Sequence, residues 1–492
     1  MSMNKTATCQ ASSCAAAQPS MTAEHESRRA IRTVRKTPLY AVLAATLFVM
    51  PLAHAASSVA KMGDAVVTEA PMAESMGGAL FATRDLRGPM LVDLGLPSVA
   101  DARALKQRRE DHAKRGQPLE IGFPRNVPNA RIVLSKLGWQ RLADGSLATR
   151  FEVSSDTAVA MRAALSLKAI GRGNVGAVTL RFGGADGRVF EQSGREFAGR
   201  NTGWSPVLMG DTATVEIVLA KGQRPQNFAL SLPQISHFDT SPIASEADLR
   251  AIAKIGESEK CHRDIICRSN PNAKFLRAEK AVARMTFVRS GSSYLCTGTL
   301  LNNNHVPKKW MFWSAAHCIS TQTVADTLQT FWFYKASTCG GASQSAGAVT
   351  VSGGAFLRHV NVTRDTLLLE LKKAPPTGAT YASWSNSDGG IGHDVESIHH
   401  PKGDVKKYSL GAVEAMNVTF EGKSPLFEVN WYAGTTQGGS SGGGLFMYDS
   451  DGDYVLIGGL YGGEASCATP GRADYYSVLG GVWNSIKSYL IK

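Results

Sequence analysis

Between residues 129 and 240 apolar residues alternate with polar ones or run in short blocks, as in ARIVLSKLGWQ, LATRFEVSS, AVTLRFGG, TATVEIVLA and NFALSLPQISHF. A period of two sends successive side chains to opposite faces of a strand. Turn pairs such as Asp144-Gly145, Asp186-Gly187 and Lys221-Gly222 separate the blocks, as hairpin connections require. Evenly spaced short strands with turns predict a β-sandwich-like domain over 129–240. The preceding stretch, 56–128, has weak periodicity and one basic segment, ARALKQRREDHAKRG, that reads as a helix. A polar connector, SPIASEADLRAIAKIGESEK, marks a boundary, with 241–255 as linker and processing site.

From 256 to 492 the chain is again strand-rich, with AVARMTFVRS, SSYLCTGTLL, KWMFWSAAHC, DTLLLELKK, LFEVNWY and YVLIGGLYGG. The turn YDSDGDY joins two strands as a hairpin. Its three aspartates lack the remaining ligands of a calcium loop, a Glu at the far end included, so a solvated turn is expected. At the C-terminus Val482, Ile486, Tyr489 and Leu490 share one face of a short helix.

Composition agrees with a mainly β protein. The 492 residues exceed one ordinary domain, glycine is abundant (49) and charged residues make up only 19%. The net charge of +12 lies mostly upstream, since residues 256–492 hold 22 Lys+Arg against 19 Asp+Glu. No basic stripe is interleaved with aromatics, which argues against nucleic acid as a partner. Part of the excess is Arg28, Arg29, Arg32, Arg35 and Lys36, followed by an apolar run ending in Ala53-His54-Ala55. That order is an export leader over 1–55, and Met21 offers a second start. The run is short and holds Pro51, so secretion is expected rather than anchoring, with no membrane contact after cleavage. Two of the eight cysteines precede the leader's end. The other six, Cys261, Cys267, Cys296, Cys318, Cys339 and Cys467, suit three disulfides, for which 15 pairings exist. Paired C-x-x-C spacings are missing, so neither a metal site nor a cofactor is expected.

The chemistry lies in three separated motifs. WSAAHCIS puts His317 after an apolar strand. TRDTLLLELKK starts a buried strand with Asp365. TTQGGSSGGG sets Ser440 and Ser441 between glycines. A serine hydroxyl needs a base to take its proton, and the base needs an orienting carboxylate.

SAAHC, DTLLLEL and GSSGG, in that order, resemble the chymotrypsin-fold serine proteases. IHHP, the C-x5-C of Cys261 and Cys267, and GG followed by Ser466-Cys467 and R-x-D-x-Y (Arg472, Asp474, Tyr476) are similar to the bacterial lysyl endopeptidases. The resemblance covers roughly 256–492. It implies a trypsin-like double β-barrel with a pro-region in front. It implies a triad of His317, Asp365 and Ser441, with Ser440 as the variable residue of G-x-S-G, and an oxyanion hole from the N–H groups of Gly439 and Ser441. It implies the pairs Cys261–Cys467, Cys267–Cys339 and Cys296–Cys318. Trypsin-like enzymes carry an aspartate six residues before the nucleophile, but Thr435 stands there, and the resemblance moves the charge selector to Asp474. Tyr461 and Gly462 would line the same pocket, Tyr461 replacing a histidine common in the family. The expectation is a secreted, monomeric pro-enzyme that cleaves protein or peptide substrates after lysine and processes itself near Lys254–Gly256. A serine protease of other specificity, and a catalytically silent protease-like binding protein, are the competing readings.

Overall fold

The computed structural model describes residues 59–67, 81–83, 88–114, 117–199, 202–239, 258–341 and 343–492. The leader and the processing segment predicted above lie outside them. The chain divides into Met1–Ser57 and Ser58–Lys492, and every described residue belongs to the second unit.

The N-terminal part is a two-layer sandwich. Its main elements are β1 (Met90–Asp93), α1 (Val99–Lys114), β2 (Leu119–Asn126), β3 (Leu147–Ser154), β4 (Ala160–Ala169), β5 (Val178–Gly183), β6 (Val189–Ser193), β7 (Thr212–Leu219) and β8 (Phe228–Phe238). One layer runs β6-β5-β7-β3-β1, and the other contains β4-β8-β2. The inward residues of both layers, among them Phe151, Phe182, Val215 and Leu230, form one apolar core. The sandwich thus starts at Met90, upstream of residue 129, because β1 pairs with β3 and β2 with β8. The basic segment is helical as far as Lys114, as part of α1.

The protease part follows: α2 (Ala273–Ala281), β9 (Val282–Arg289), β10 (Ser292–Leu301), β11 (Met311–Ser314), β12 (Gln329–Trp332), β13 (Val349–Ser352), β14 (Ala355–Asn361) and β15 (Thr366–Leu371). The pairings run β13-β12-β9-β10-β11-β15-β14. Only Gly353 and Gly354 separate β13 from β14, so one bent run closes the ring. Gly354 has φ +75° and a Cβ there would lie 2.4 Å from the Asp326 carbonyl oxygen, which leaves no room for another residue.

The second barrel comprises β16 (Asp394–His399), β17 (Lys407–Phe420), β18 (Lys423–Ala433), β19 (Gly444–Tyr448), β20 (Tyr454–Gly463) and β21 (Asp474–Val478). These six antiparallel strands close in the order β16-β17-β18-β21-β20-β19 and back to β16. The terminal helix α3 (Trp483–Leu490) buries Ile486 and Leu490. Cys261–Cys467, Cys267–Cys339 and Cys296–Cys318 are bonded.

Two contacts tie the N-terminal part to the barrels. β2 pairs antiparallel with β10, Tyr294 facing Glu120 and Leu295 facing Leu119, so sandwich and first barrel share a sheet. Ile121, Val207, Met209 and Phe238 meet Leu295, Phe331, Tyr334 and Val405 in a common apolar cluster. The second contact is a strap. Lys61–Met62 pairs with Ser385 and Trp384, and Ala65–Val66 pairs with Tyr381 and Thr380, on the link between the barrels. Lys61 Nζ sits among Asp449, Asp451 and Asp453. The aspartate turn, expected to be solvated, is therefore occupied by an ammonium group from the strap.

Candidate active site

His317 follows β11 in the first barrel and Asp365 immediately precedes β15. These strands are neighbours, with Ser314 opposite Leu367, so the register brings the two residues together. His317 Nδ1 lies 2.8 Å from Asp365 Oδ2, and the His317 backbone N–H donates to Asp365 Oδ1 at 2.8 Å. Asp365 is fully buried and has φ +49°, an uncommon backbone for a non-glycine residue. Two hydrogen bonds from His317, one to each carboxylate oxygen, fix its side chain. Among the described residues no ion pair joins Arg364 to Asp365, and the Arg364 backbone N–H donates to Asn361 Oδ1 at 3.0 Å. The Cys296–Cys318 bond fixes the residue after the histidine to β10.

Ser441 lies between β18 and β19 in the second barrel. Its carbonyl accepts from Thr297 N–H at 2.7 Å, and a Cβ on Gly442 (φ +77°) would lie 2.2 Å from Ser314 Oγ. A glycine there lets the loop rest directly on the strand leading to His317. No hydrogen bond joins Ser441 Oγ to His317 Nε2. Such bonds are commonly long in a free enzyme and tighten on substrate binding. The N–H groups of Gly439 and Ser441 donate to no acceptor among the described residues, while the Gly439 carbonyl is held by Thr297 Oγ1 at 3.0 Å. Two amides left open beside a serine can receive an oxyanion.

Ser440 points the other way. Its Oγ is 2.7 Å from His399 Nδ1, and His399 Nε2 is 3.1 Å from Ser409 Oγ. His399 is fully buried, which drives its pKa far below the usual histidine value and keeps the ring neutral. His399 thus anchors the loop that carries Ser441. In the sequence His399 and His400 stand out only as part of the IHHP motif.

Asp474 begins β21, opposite Val429 of β18 and Gly463 of β20. It is 1% exposed. Trp431 Nε1–H and Thr436 Oγ1–H donate to its Oδ2 at 2.7 and 2.8 Å, and Oδ1 has no hydrogen-bond partner. Burial raises its pKa to about 6, opposed by those two donors and by the nearby Ala465 amide. That amide favours the charge without reaching hydrogen-bond geometry with Oδ1. Arg472 pairs with Glu464 instead of Asp474.

Tyr461 is the extra residue at a register shift in β20, between Leu460 facing Tyr476 and Gly462 facing Tyr475. The bulge turns its ring edge-on to His317, with centroids 5.5 Å apart. Its hydroxyl donates to Glu421 Oε2 at 2.9 Å, on the tip of the β17–β18 hairpin. Burial and that carboxylate raise its pKa. Phe420, from the same tip, stacks on Tyr475 at 4.0 Å. Sequence reasoning missed Trp431, Thr436, Phe420 and Glu421. A long alternating hairpin carrying an aromatic at its tip was the available signal for Phe420.

Two barrels that set a histidine–aspartate pair against a glycine-bracketed serine loop define a trypsin-like serine endopeptidase. The sequence narrows this further. Residues 255–477 match the family "Lysyl endopeptidase, C-terminal domain", and residues 93–239 match "Lysyl endopeptidase N-terminal domain". A lysyl endopeptidase of Pseudomonas aeruginosa is 44% identical over 386 residues, covering 76% of this chain and 82% of that protein. The chain belongs to the lysyl endopeptidase family. Secreted RxLR effector protein 73 of Plasmopara viticola is 28% identical over 198 residues, 38% of this chain and 47% of that protein. Among solved structures, the active form of the Rv3671c protease from M. tuberculosis aligns with TM-score 0.29 and 15% identity, over 44% of this chain and 83% of that one. That likeness is too low to carry an argument. Among the described residues no helix is long and apolar enough to cross a membrane.

Proposed function

We propose that this serine endopeptidase cleaves peptide bonds after lysine, through a His317–Asp365–Ser441 triad, and is made as a secreted pro-enzyme. His317 Nε2 takes the Ser441 Oγ proton as Oγ attacks the scissile carbonyl carbon. Asp365 holds the imidazole in the tautomer with hydrogen on Nδ1 and stabilises the imidazolium. The Gly439 and Ser441 amides receive the oxyanion. When the C–N bond breaks, His317 returns the proton to the leaving amine. Water, activated by the same histidine, then releases the acyl group from Ser441.

The observation that carries the lysine reading is the bare, buried Oδ1 of Asp474, a carboxylate oxygen lacking a partner that a substrate ammonium would supply. The test has two arms. A fluorophosphonate probe should label the processed wild type and not Ser441→Ala. Profiling with peptides varied before the scissile bond should show lysine preferred, and Asp474→Asn should erase that preference. An unlabelled wild type sinks the enzyme mechanism, and an unchanged preference in the asparagine variant sinks the pocket.

The pro-enzyme reading is supported by β2, which lies along β10 and brings Leu119 so near Gly438, the residue before Gly439, that a Cβ on Gly438 would lie 3.7 Å from the Leu119 side chain. An extended substrate approaching that flank would meet the sandwich. Trypsinogen-style activation uses an aspartate just before the nucleophile, but that position is Ser440, whose Oγ is bonded to His399. The start of the protease part is tied down by other means, to the segment between β20 and β21 by the Cys261–Cys467 bond and to the Ser441 loop by a 2.7 Å hydrogen bond from Gln437 Nε2–H to Glu259 Oε1. Mass spectrometry of the secreted protein should find a cut near Lys254–Gly256.

A further inference from the structure

The Asp474 carboxylate has unequal surroundings. Oδ2 accepts from Trp431 Nε1–H and from Thr436 Oγ1–H, at 2.7 and 2.8 Å. Oδ1 accepts nothing and is closed to solvent. A carboxylate oxygen offers two lone pairs, so Oδ2 is filled while Oδ1 keeps its full capacity.

Both donors are held by the framework. Trp431 lies on β18, which pairs directly with β21, and its ring sits edge-on to Tyr476 with centroids 6.0 Å apart. Thr436 is 5% exposed and stands between β18 and Ser441. Neither side chain can leave Oδ2 without abandoning a buried position.

This asymmetry bears on which cation can bind. A guanidinium reaches its best geometry on a carboxylate through two parallel N–H···O bonds, one to each oxygen. An ammonium is a compact charge for which one oxygen suffices. We infer that Trp431 and Thr436 are positioning residues for specificity: by filling both lone pairs of Oδ2 they leave Asp474 one acceptor oxygen, which admits a lysine ammonium and refuses the bidentate grip of an arginine. The inference rests on the reading of Asp474 as charge selector.

The test compares kcat/KM for peptide amides that differ only before the scissile bond, carrying lysine, arginine or the neutral isostere norleucine. Trp431→Phe and Thr436→Val each remove one donor. Each should raise the arginine-to-lysine ratio by about tenfold, the scale of one hydrogen bond to a charged group. Thr436→Ser keeps the hydroxyl and should keep the wild-type ratio. Trp431→Phe leaves a void and can fail to fold, whereas Thr436→Val preserves shape, so the valine variant decides alone if necessary. A purely structural role for the donors would lower all three rates together and leave the ratio unmoved. An unmoved ratio with lysine still favoured over norleucine overturns this inference and spares the lysine reading. A wild type indifferent between lysine and norleucine removes the reading and the inference with it.

Discussion

Asp474 supplies a pH dependence that can be separated from catalysis. Its pKa is raised to about 6 by burial, so below that pH the folded pocket is neutral. The ratio of kcat/KM for lysyl over norleucyl substrates should fall as pH drops through about 6, and the ratio cancels any titration of His317 that both substrates share. The same group bears on stability with the opposite direction. The folded pKa lies above the unfolded value, so the neutral acid is favoured by folding; its contribution is complete below the unfolded pKa and is lost as pH rises through about 6. Asp474→Asn, which can still accept from Trp431 and Thr436, should therefore be more stable than wild type at pH 8, by roughly 1–3 kcal/mol in urea unfolding. The two serines should separate cleanly. Ser441→Ala should lower turnover by about 10⁴-fold or more. Ser440→Ala should still be labelled by a fluorophosphonate while losing about 1–3 kcal/mol, because buried His399 loses an acceptor or donor. His317, Asp365 and Ser441 were legible because each lies in a short motif. Trp431 and Thr436 were not, since an indole and a hydroxyl carry no motif and reach Asp474 through cross-strand register, 43 and 38 residues away in sequence.

Strands with clear alternation or a continuous apolar run were readable, β7 and β15 among them, because burial on one face or both leaves its mark on residue choice. β1 and β2 were not. β1 is only MLVD, and β2 carries Gly122 and Pro124 within LEIGFPRN, which weakens any strand signal. The bulge at Tyr461 was also hidden, since a register shift depends on the partner strand. The loop bearing His317 depends on the Cys296–Cys318 bond, which closes a loop with a sequence separation of 22. Replacing both cysteines with alanine should cost about 3 kcal/mol on chain-entropy grounds, read from the urea midpoint. Activity should fall further than stability, as the histidine loses its brace.

The assembly of sandwich and barrels was the least visible from sequence. Nothing in the sequence marks Ile121, Val207 and Phe238 as boundary residues, yet they pack on Leu295, Phe331 and Tyr334. Buried hydrogen bonds cross the same boundary, from Arg162 Nη2 to the Thr327 carbonyl at 2.9 Å and between Ser236 and Ser293 hydroxyls at 2.8 Å. A cut in the connector leaves all of these in place. After processing, the N-terminal part should co-elute with the protease on size exclusion, and Ile121→Asp should separate them by burying an unpaired charge.

The shared sheet has one more outcome. While β2 is present, β10 is an interior strand. Were the sandwich removed, the backbone groups of Ser293 to Leu295 would become a bare rim, together with Leu295, Phe331 and Tyr334. A rim of that kind recruits any extended chain within reach. In dilute medium the chain at hand is a foreign polypeptide; in a crowded compartment it is a sibling still folding. In a pro-enzyme that sheds it, the sandwich would be an anti-aggregation cover, and the time of its loss would separate a protein that must avoid strand partners from one that lives by them.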